Sequence, residues 1–254
     1  MAAAVGSAVA IIPARLGSTR FPGKVLANQT GKYLIQHVWE AAGRAERVSR
    51  VVIATDDVRV RDAAASFGAE AVLTRPDHPN GTSRLSEAAR LLALDPDHII
   101  VNVQGDEPEL EPGAIDGAVQ SLVAGESAGW ARIGTVAVPF GQGEDPRDPN
   151  CVKVVVGRGG RALYFSRSLI PYDRDGRHTV APLRHVGLYA YRRRFLDEYA
   201  AMPQTPLEIV EQLEQLRALE HGHGIAVALC RSSRVGIDTP EQYAAFVERW
   251  KARH

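Results

Sequence analysis

Residues 8–24, AVAIIPARLGSTRFPGK, join a short apolar run to a polar loop. An apolar run of this length near the start of a chain is typical of a buried strand in an α/β sheet. Loops that leave the carboxyl ends of such strands form the ligand sites of open α/β sheets. This loop carries three cations, two glycines and two hydroxyls within ten residues, which suits a polyphosphate because glycine admits close backbone approach and the cations neutralise charge. Taken alone, the stretch also fits a solvated surface loop rich in arginine.

The first half of the chain alternates predicted strands with predicted helices. Further buried strands are predicted at 50–54, 70–73 and 98–103. Helices are predicted at 33–46, at 58–67 and from Thr82, as N-cap, to about residue 92. This alternation indicates βαβ units and a mostly parallel sheet.

The second half is less regular and predicts an antiparallel excursion from the same sheet. Strands are predicted at 132–139, 185–191 and 225–230, with a hairpin formed by 152–156 and 162–165. Helices are predicted at 206–219, as one amphipathic helix, and at 239–253, with Thr239 as cap and Pro240 in the first turn. Turn formers and charges predict a mobile loop at 171–182. We therefore expect one α/β domain over residues 1–254.

The composition is that of an ordinary globular protein. Among 254 residues, 45% are hydrophobic and 24% charged, and the formal net charge is zero, so no overall field favours nucleic acid or a membrane surface. No apolar run reaches the roughly 20 residues that span a bilayer, and the N-terminal MAAAVGSAVAIIPAR lacks the basic region of a signal peptide. Cys151 and Cys230 indicate neither a disulfide framework nor a zinc site. We expect a cytoplasmic protein without nucleic-acid or membrane partners.

Two aspartates are candidates for a metal site beside the phosphate loop. Asp106 follows a predicted strand in VNVQGDEP, residues 101–108, and so lies at the same sheet edge as that loop. Asp238 lies in GIDTP, where the sequence enters a helix. A carboxylate that faces a polyphosphate favours Mg²⁺, and Lys24 can then stabilise the departing phosphate in phosphoryl-type transfer. Each aspartate alone also fits a structural turn.

Other common phosphate and nucleophile motifs do not occur in the context that they require. There is no GxxxxGK[ST] after a strand, no GxGxxG at the first helix and no GxSxG elbow, because residues 125–129, GESAG, match that pattern but do not follow a predicted strand. Their absence argues against a P-loop ATPase, a nicotinamide-dependent dehydrogenase and an elbow-type serine hydrolase. His221 and His223 are spaced like a metal pair, but with no third ligand in view a polar loop explains them better.

A third group of residues suits an acidic sugar. Arginine pairs with a carboxylate through two parallel hydrogen bonds, and Arg84 and Arg167 are candidates for that contact. Side chains suited to the rest of the sugar are His185 and Tyr189 in RHVGLY, with Glu214 and Gln215 as candidates for binding hydroxyls. Each of these residues alone is also compatible with a surface or supporting role.

The order of these motifs resembles that of the 3-deoxy-manno-octulosonate (Kdo) cytidylyltransferases, also called CMP-Kdo synthetases. The resemblance covers essentially the full length: IIPARLGSTRFPGK, VNVQGDEP, DPNCVKVV, ALYFSRSLIPYDRD, RHVGLYAYRRRFL, PLEIVEQLEQLRAL and GIDTPEQ. It implies a nucleotidyltransferase-type, Rossmann-like three-layer α/β sandwich with a mostly parallel mixed sheet. It also implies a homodimer, dependence on Mg²⁺, and a reaction in which CTP and Kdo give CMP-Kdo and pyrophosphate for lipopolysaccharide biosynthesis.

The resemblance also implies roles for individual residues. The CTP phosphates are expected at Arg15, Ser18, Arg20 and Lys24, with Lys24 near the α-phosphate. Mg²⁺ is expected at Asp106 and Asp238, which together with Lys24 are the expected catalytic residues. The acidic sugar is expected at Arg84, Gln104, Arg167, His185, Tyr189, Glu214 and Gln215. The CTP-binding part is expected at about residues 8–125, and the sugar-binding and dimerisation part at about 130–240.

The sequence departs from the family pattern at Ser83, because an acidic residue usually stands between Thr82 and Arg84. The missing carboxylate lies beside an expected sugar contact, so the 8-amino analogue of Kdo, 8-amino-3,8-dideoxy-manno-octulosonate, is an alternative substrate. A synthetase for CMP-sialic acid is a further alternative, but such enzymes lack RHVGLY and GIDTPEQ. A non-catalytic nucleotide-binding homologue would be expected to have lost one of the three expected catalytic residues, and all three are present.

Overall fold

The computed structural model describes residues 7–18, 20–177, 179–231 and 236–253. Thr19 of the phosphate loop and His178 of the predicted mobile loop lie outside the described residues. The strands are Ala8–Ala14 (β1), Val48–Thr55 (β2), Glu70–Leu73 (β3), Ile99–Asn102 (β4), Ala131–Pro139 (β5), Lys153–Val156 (β6), Ala162–Ser166 (β7), Leu183–Arg192 (β8) and Gly224–Leu229 (β9). The α-helices are Leu34–Ala42 (α1), Val58–Ser66 (α2), Gly81–Leu91 (α3), Pro112–Ser127 (α4), Arg193–Ala201 (α5), Pro206–Glu211 (α6), Gln215–Glu220 (α7) and Pro240–Lys251 (α8).

The predicted mixed sheet is confirmed, with β1 near its centre. The strand order is β3–β2–β1–β4–β8–β5–β9, and β6 pairs with both β7 and β8. Strands β1 to β4 are mutually parallel where they pair, whereas β8 runs antiparallel to both β4 and β5. The antiparallel excursion therefore begins at β8, directly beside the strand that leads to Asp106.

Helices cover both faces of the sheet and make the three predicted layers. One core cluster joins α1, α2 and α4 to the sheet, and Ile12, Ile35 and Leu122 are fully buried within it. The second cluster joins α3, α5 and α7 to the other face, with Ile11 and Leu85 fully buried. Successive β1 side chains thus enter opposite cores, as the two-residue period of a strand requires. The nearly continuous apolar sequence of β1 follows from this double burial.

Several predicted elements are confirmed closely. The hairpin of β6 and β7, the strand β3 and the C-terminal helix α8 lie where the sequence places them. Thr239 caps α8, and Gln242 completes a capping box while Pro240 occupies the first turn. Within the described residues, no helix is both long enough and apolar enough to cross a bilayer.

The predicted cap of α3 is wrong, and two helices were not predicted. The N-cap of α3 is Asn80, whose side chain accepts a hydrogen bond from the Ser83 N–H, so Thr82 lies inside the helix and not at its cap. No element was predicted for α4 or α5. Helix α4 carries three glycines within its sequence, a composition that weakens the usual helix signal because glycine has low helix propensity.

The helix predicted at 206–219 is two short helices separated by a break at Gln212. Gln212 has a φ of 50°, in the left-handed region, and closes α6. A buried ion pair between Glu208 of α6 and Arg217 of α7 spans the break, and Leu213 is buried beside it. Packing of these groups therefore outweighs a sequence pattern that is periodic throughout. The mobility of the loop at 171–182 and the division of the domain near residue 125 remain predictions; the sheet itself continues through both parts.

Candidate active site

The amino group of Lys24 lies between the two aspartates that the sequence predicts as metal ligands. Its Nζ atom is 2.7 Å from Oδ2 of Asp106 and 3.0 Å from Oδ1 of Asp238. It also donates to the carbonyl oxygen of Ile237 over 2.9 Å. The lysine side chain is only 12% exposed, so these ionic contacts are partly shielded from water. Three residues that are distant in sequence are therefore brought together at one point.

Local backbone structure sets the position of each member. Gly23 has a φ of 71° and caps a short 3₁₀ helix that begins at Lys24, a conformation that favours glycine. The backbone of Asp106 is held in place because its carbonyl oxygen accepts a hydrogen bond from the N–H of Ile237 over 2.8 Å. Asp238 precedes the cap of α8, and its own N–H donates to Oε1 of Gln242 over 2.7 Å. The start of α8 is thus held against the loop that follows β4.

The phosphate loop and the segment after β3 both line a cleft with a volume of about 420 Å³. The other predicted site residues that line it are Gln104, Arg84, Asp106 and Asp238, and the loop contributes Arg15, Ser18, Arg20 and Lys24. Arg20 is 62% exposed and its guanidinium is 2.9 Å from Oδ2 of Asp238. The cleft lies at the carboxyl ends of β1 and β4, where an open α/β sheet binds its ligands.

The pair of aspartates fits the donor set that a magnesium ion prefers. Within the described residues, no group of three or more His, Cys, Asp or Glu side chains is placed to hold a metal alone. Asp106 and Asp238 nevertheless converge on one cationic centre, the Lys24 amino group. Mg²⁺ is usually held by one or two carboxylates together with substrate phosphates and water. The two aspartates therefore supply as many carboxylates as such a site uses, and their role as ligands remains a prediction.

Glu107, next to Asp106, has a strongly shifted pKa. Burial, reinforced by the negative charge of Asp106, raises the pKa of Glu107 to about 8, although Arg184 acts in the opposite direction. Its side chain lies against Gly236 and reaches toward Gly187 of β8. Glu107 therefore marks the boundary between the acidic pair and the strand that carries the expected sugar contacts. The sequence motif contained this residue, but spacing alone did not distinguish it from a turn residue.

His185 and Tyr189 lie on β8 with their rings 5.4 Å apart. Burial and the neighbouring Arg184 lower the pKa of His185 to about 3, so the imidazole is neutral near pH 7. The Thr135 hydroxyl donates to the Leu188 carbonyl over 2.7 Å, and Nε2 of His185 lies 2.9 Å from the same hydroxyl oxygen. Because Thr135 has only one hydroxyl proton, Nε2 is the protonated nitrogen and Nδ1 is an acceptor. Burial also raises the pKa of Tyr189, so this phenol remains a donor.

Gln104 and the start of α7 lie near this strand. Nε2 of Gln104 donates to the Gly187 carbonyl over 3.2 Å. Burial raises the pKa of Glu214, against the hydrogen bond from Thr82 and the charge of Arg217, and its Oε1 atom has no hydrogen-bond partner within the described residues. Gln215, the first residue of α7, is buried. Five of the seven predicted sugar contacts therefore lie in the loop after β4, in β8 and at the start of α7.

The remaining two predicted sugar contacts are held elsewhere. The guanidinium of Arg167 donates to the carbonyl oxygens of Glu211, Pro149 and Gln212 over 2.8, 2.9 and 3.3 Å, so each of its three nitrogens already has a protein partner. Arg84 is buried and donates to Oγ1 of Thr74 over 2.7 Å. Arg84 lines the cleft, but on the side of β2 and β3. The roles of both arginines in sugar binding remain predictions.

His78 is a cleft residue that the sequence reasoning missed. Its Nδ1 atom lies 3.0 Å from Oγ of Ser83, and its Nε2 atom contacts Glu87. The Ser83 hydroxyl also donates to the Asn80 carbonyl over 3.1 Å. Ser83, the position that departs from the family pattern, therefore joins the 74–81 segment to α3. A useful signal was available, because the loop after β3 leaves the same sheet edge as the phosphate loop.

The histidine pair outside the cleft matches the polar-loop interpretation. His221 follows α7, and Nε2 lies 3.5 Å from the Pro203 carbonyl. His223 packs edge-on against Phe195 with ring centroids 5.0 Å apart. Each ring thus has its own neighbour within the described part of the chain, and neither belongs to a metal-binding group there.

Comparison with known proteins identifies the family of this chain. The family model for cytidylyltransferases matches residues 9–225. A 3-deoxy-manno-octulosonate cytidylyltransferase of Syntrophobacter fumaroxidans is 50% identical over 240 residues, which cover 94% of this chain and 95% of that protein. The protein of the same name from Trichlorobacter lovleyi is 48% identical over 253 residues, covering 96% and 98%.

A solved structure gives the same result for the fold. It is described as CMP:2-keto-3-deoxy-manno-octonic acid synthetase complexed with CTP, and it matches with a TM-score of 0.88 at 39% identity. The match covers 98% of this chain and 100% of the solved chain. The fold and these relatives agree, and the chain belongs to the cytidylyltransferase family, among the 3-deoxy-manno-octulosonate cytidylyltransferases.

Proposed function

We propose that this protein transfers CMP from CTP to Kdo and releases pyrophosphate. The observation that carries the proposal is the convergence of Lys24, Asp106 and Asp238 at one point of the cleft. A non-catalytic homologue has no need to keep a partly buried lysine between two carboxylates. The relatives named above act, by their names, on the same sugar, and the solved relative holds CTP.

In the proposed reaction the anomeric hydroxyl of Kdo attacks the α-phosphorus of CTP in line with the leaving group. One phosphorus–oxygen bond forms to the sugar, the bond to the β-phosphate oxygen breaks, and the hydroxyl proton passes to solvent. Lys24, Arg15 and Arg20 offset the negative charge that grows on the phosphates. Lys24 must then exchange part of its contact with Asp106 for a phosphate oxygen.

We propose Mg²⁺ as the cofactor, held by Asp106 and Asp238. When bound, the ion supplies charge stabilisation and alignment of the phosphates. A direct test is titration with Mg²⁺ in the presence of CTP, followed by calorimetry on the wild type and Asp106→Asn. We expect the variant to lose Mg²⁺-dependent tightening of CTP binding while its circular dichroism is unchanged. Tight Mg²⁺-dependent binding in the variant would remove the ligand role.

On the sugar side, β8 and α7 are proposed to orient Kdo. Nδ1 of His185 accepts a hydrogen bond from a sugar hydroxyl, and the Tyr189 phenol donates a hydrogen bond to the sugar. Gln104 bridges this group to the loop that carries Asp106. The two substrates would therefore meet at the junction of β4 and β8, where parallel and antiparallel pairing change over.

The test of the whole proposal is a pyrophosphate-release assay with CTP and Kdo. Matched reactions contain UTP or GTP instead of CTP, and sialic acid or 8-amino-Kdo instead of Kdo. We expect turnover with CTP and Kdo to exceed every other pair by at least tenfold. Faster turnover of the 8-amino sugar would establish the alternative substrate. The structure gives that alternative no added support, because Ser83 binds His78 and Asn80.

We also propose that the protein is a cytoplasmic homodimer that acts in lipopolysaccharide biosynthesis. Helix α6 exposes the apolar side chains of Leu207, Ile209 and Val210, and the last is 82% exposed. Contiguous exposed apolar surface commonly marks a protein interface. Sedimentation of the wild type and Val210→Asp would test this surface. A dimer is expected for the wild type and a shift toward monomer for the variant, whereas a monomeric wild type would contradict the proposal.

A further inference from the structure

Arg84 is a buried cation whose neighbours come from the nucleotide side of the sheet. It is 4% exposed. Its NH1 group donates to Oγ1 of Thr74 over 2.7 Å and lies 3.4 Å from Oδ1 of Asp56. Thr74 is fixed in turn to the end of β2, because its N–H and its hydroxyl both donate to the Thr55 carbonyl. Asp56 and Thr74 directly follow β2 and β3.

The geometry of α3 separates Arg84 from the sugar-side residues. Thr82 and Arg84 are two residues apart on a helix, so their side chains point to nearly opposite sides. Thr82 lies close enough to Glu214 and Tyr191 to influence the pKa of each. Arg84 consequently points toward β2 and β3, away from β8.

The strand order indicates how far β2 lies from β8. From β2 to β8 the sheet passes through β1 and β4, and three strand spacings amount to about 14 Å. Lys24, which is proposed to bind phosphate, and the acidic pair Asp106 and Asp238 lie between β2 and β8. A CTP molecule whose phosphates occupy that centre, with Kdo at β8, must extend its nucleoside toward β2 and β3.

Asp56 is an anion with unused hydrogen-bonding capacity. Its Oδ1 atom is buried and has no hydrogen-bond partner within the described residues. A buried guanidinium needs a counter-charge, and the Asp56 carboxylate is placed to supply it. Removing the carboxylate would leave the orientation of Arg84 to Thr74 alone.

We propose that Asp56, with Thr74, positions the Arg84 guanidinium for the nucleoside end of CTP, so that Asp56 governs CTP binding and base choice and not sugar binding. The inference rests on the proposed function and moves Arg84 from the sugar side, where the resemblance implied it, to the nucleotide side. An arginine only donates hydrogen bonds. Cytosine offers two acceptors, O2 and N3, to such a donor, whereas N3 of uracil carries a hydrogen. Arg84 would therefore favour CTP over UTP.

The test compares Asp56→Asn with the wild type in steady-state kinetics, with each substrate varied while the other is saturating. We expect the KM for CTP to rise about tenfold and the preference for CTP over UTP to fall about tenfold. The kcat with CTP and the KM for Kdo should stay within twofold. Asp56→Glu, which restores the charge, should recover at least half of the loss in KM. Thr74→Val should raise the KM for CTP about threefold.

A matched control removes another tie between the same two strands. Glu70 of β3 accepts two hydrogen bonds from the Arg50 guanidinium of β2 on the exposed surface, and Glu70→Gln should leave both KM values within twofold. If Asp56→Asn raised the KM for Kdo and left the KM for CTP unchanged, the proposal would be overturned and Arg84 would be a sugar contact. Unchanged KM values in folded Asp56→Asn would also overturn it.

Two further measurements keep the proposal separate from stability and from the proposed reaction. Circular dichroism and urea unfolding show whether Asp56→Asn is folded, and if it is not, Thr74→Val carries the test. If the wild type released no pyrophosphate from CTP and Kdo, the proposed function would fail. Calorimetric titration with CTP alone would then decide the inference, with weaker binding by Thr74→Val and Asp56→Asn supporting it and equal binding overturning it.

Discussion

The proposed nucleotide side, in the cleft, and the proposed sugar side, at β8 and the start of α7, are built in different ways. On the nucleotide side, charged residues occupy loops that leave parallel strands, and Lys24 joins two aspartates across 82 and 214 residues of sequence. On the sugar side, His185 and Tyr189 lie within a strand, and burial shifts their pKa values. The proposed nucleotide side therefore presents opposed charges, and the proposed sugar side presents neutral groups whose protonation is fixed by burial. Substitutions should affect the two sides differently.

Lys24→Met is expected to have the largest effect, because it leaves Asp106 and Asp238 facing each other without their shared cation. We expect kcat/KM to fall at least 1,000-fold, which corresponds to about 4 kcal/mol of transition-state stabilisation. The measurement is pyrophosphate release at saturating Kdo. Lys32→Met is the control, since Lys32 pairs with Glu40 on α1 at 2.7 Å and should retain activity within twofold. Activity of Lys24→Met above a tenth of wild type would contradict the role of the opposed charges.

How well each side could be predicted follows from its construction. The phosphate loop and Asp106 directly follow apolar strands, so the rule about carboxyl ends of parallel strands was sufficient to place them. The same rule did not place Arg84, because successive helical residues are rotated by about 100° and the direction of each side chain depends on where the helix starts. The predicted cap, Thr82, lies two residues after the observed cap, Asn80.

The sugar side needed information that local sequence does not carry. The pattern PLEIVEQLEQLRAL is helical throughout, and only the packing of Leu213 and the Glu208–Arg217 pair explains the break at Gln212. Likewise, an arginine after a strand has the same local sequence whether its donors meet a ligand or the protein's own carbonyl groups. The acceptors of Arg167 come from segments up to 45 residues away.

Arg167→Met tests whether Arg167 belongs to the sugar site or to the scaffold. The substitution removes three donors from the carbonyl oxygens of Pro149, Glu211 and Gln212. We expect the free energy of unfolding to fall by about 2 kcal/mol, measured by urea titration. The KM for Kdo, measured where the variant is fully folded, should change less than threefold. A tenfold rise in KM with unchanged stability would make Arg167 a sugar contact, as the resemblance implied.

The pH dependence of stability tests the neutral character of the sugar side. The folded pKa of His185, about 3, is below its ordinary value of 6.5, so below pH 6.5 the unfolded chain binds a proton that the folded protein does not. Stability from this residue is therefore lost as pH falls, by about 1.5 kcal/mol between pH 6.5 and 5. His185→Gln should lower that slope, since glutamine can donate to Thr135 without titrating. His221→Gln, at an exposed position, should keep it, and equal slopes in all three proteins would contradict a buried neutral histidine.

Gln212→Gly should produce the smallest effect and asks whether the strained break positions the start of α7. A non-glycine residue in the left-handed region destabilises the folded protein by about 1 kcal/mol. Glycine removes this strain, but its greater freedom in the unfolded chain offsets part of the gain in stability. We therefore expect a net gain of about 0.5 kcal/mol in the free energy of unfolding. Ala93→Gly is the matched control, since Ala93 has a φ of 49° and follows α3 at its far end. Both variants should gain similar stability, but only Gln212→Gly should raise the KM for Kdo, by two- to threefold, because it loosens the turn before Glu214. Equal KM values in the two variants would show that α7 is positioned by the Glu208–Arg217 pair and not by the conformation of Gln212.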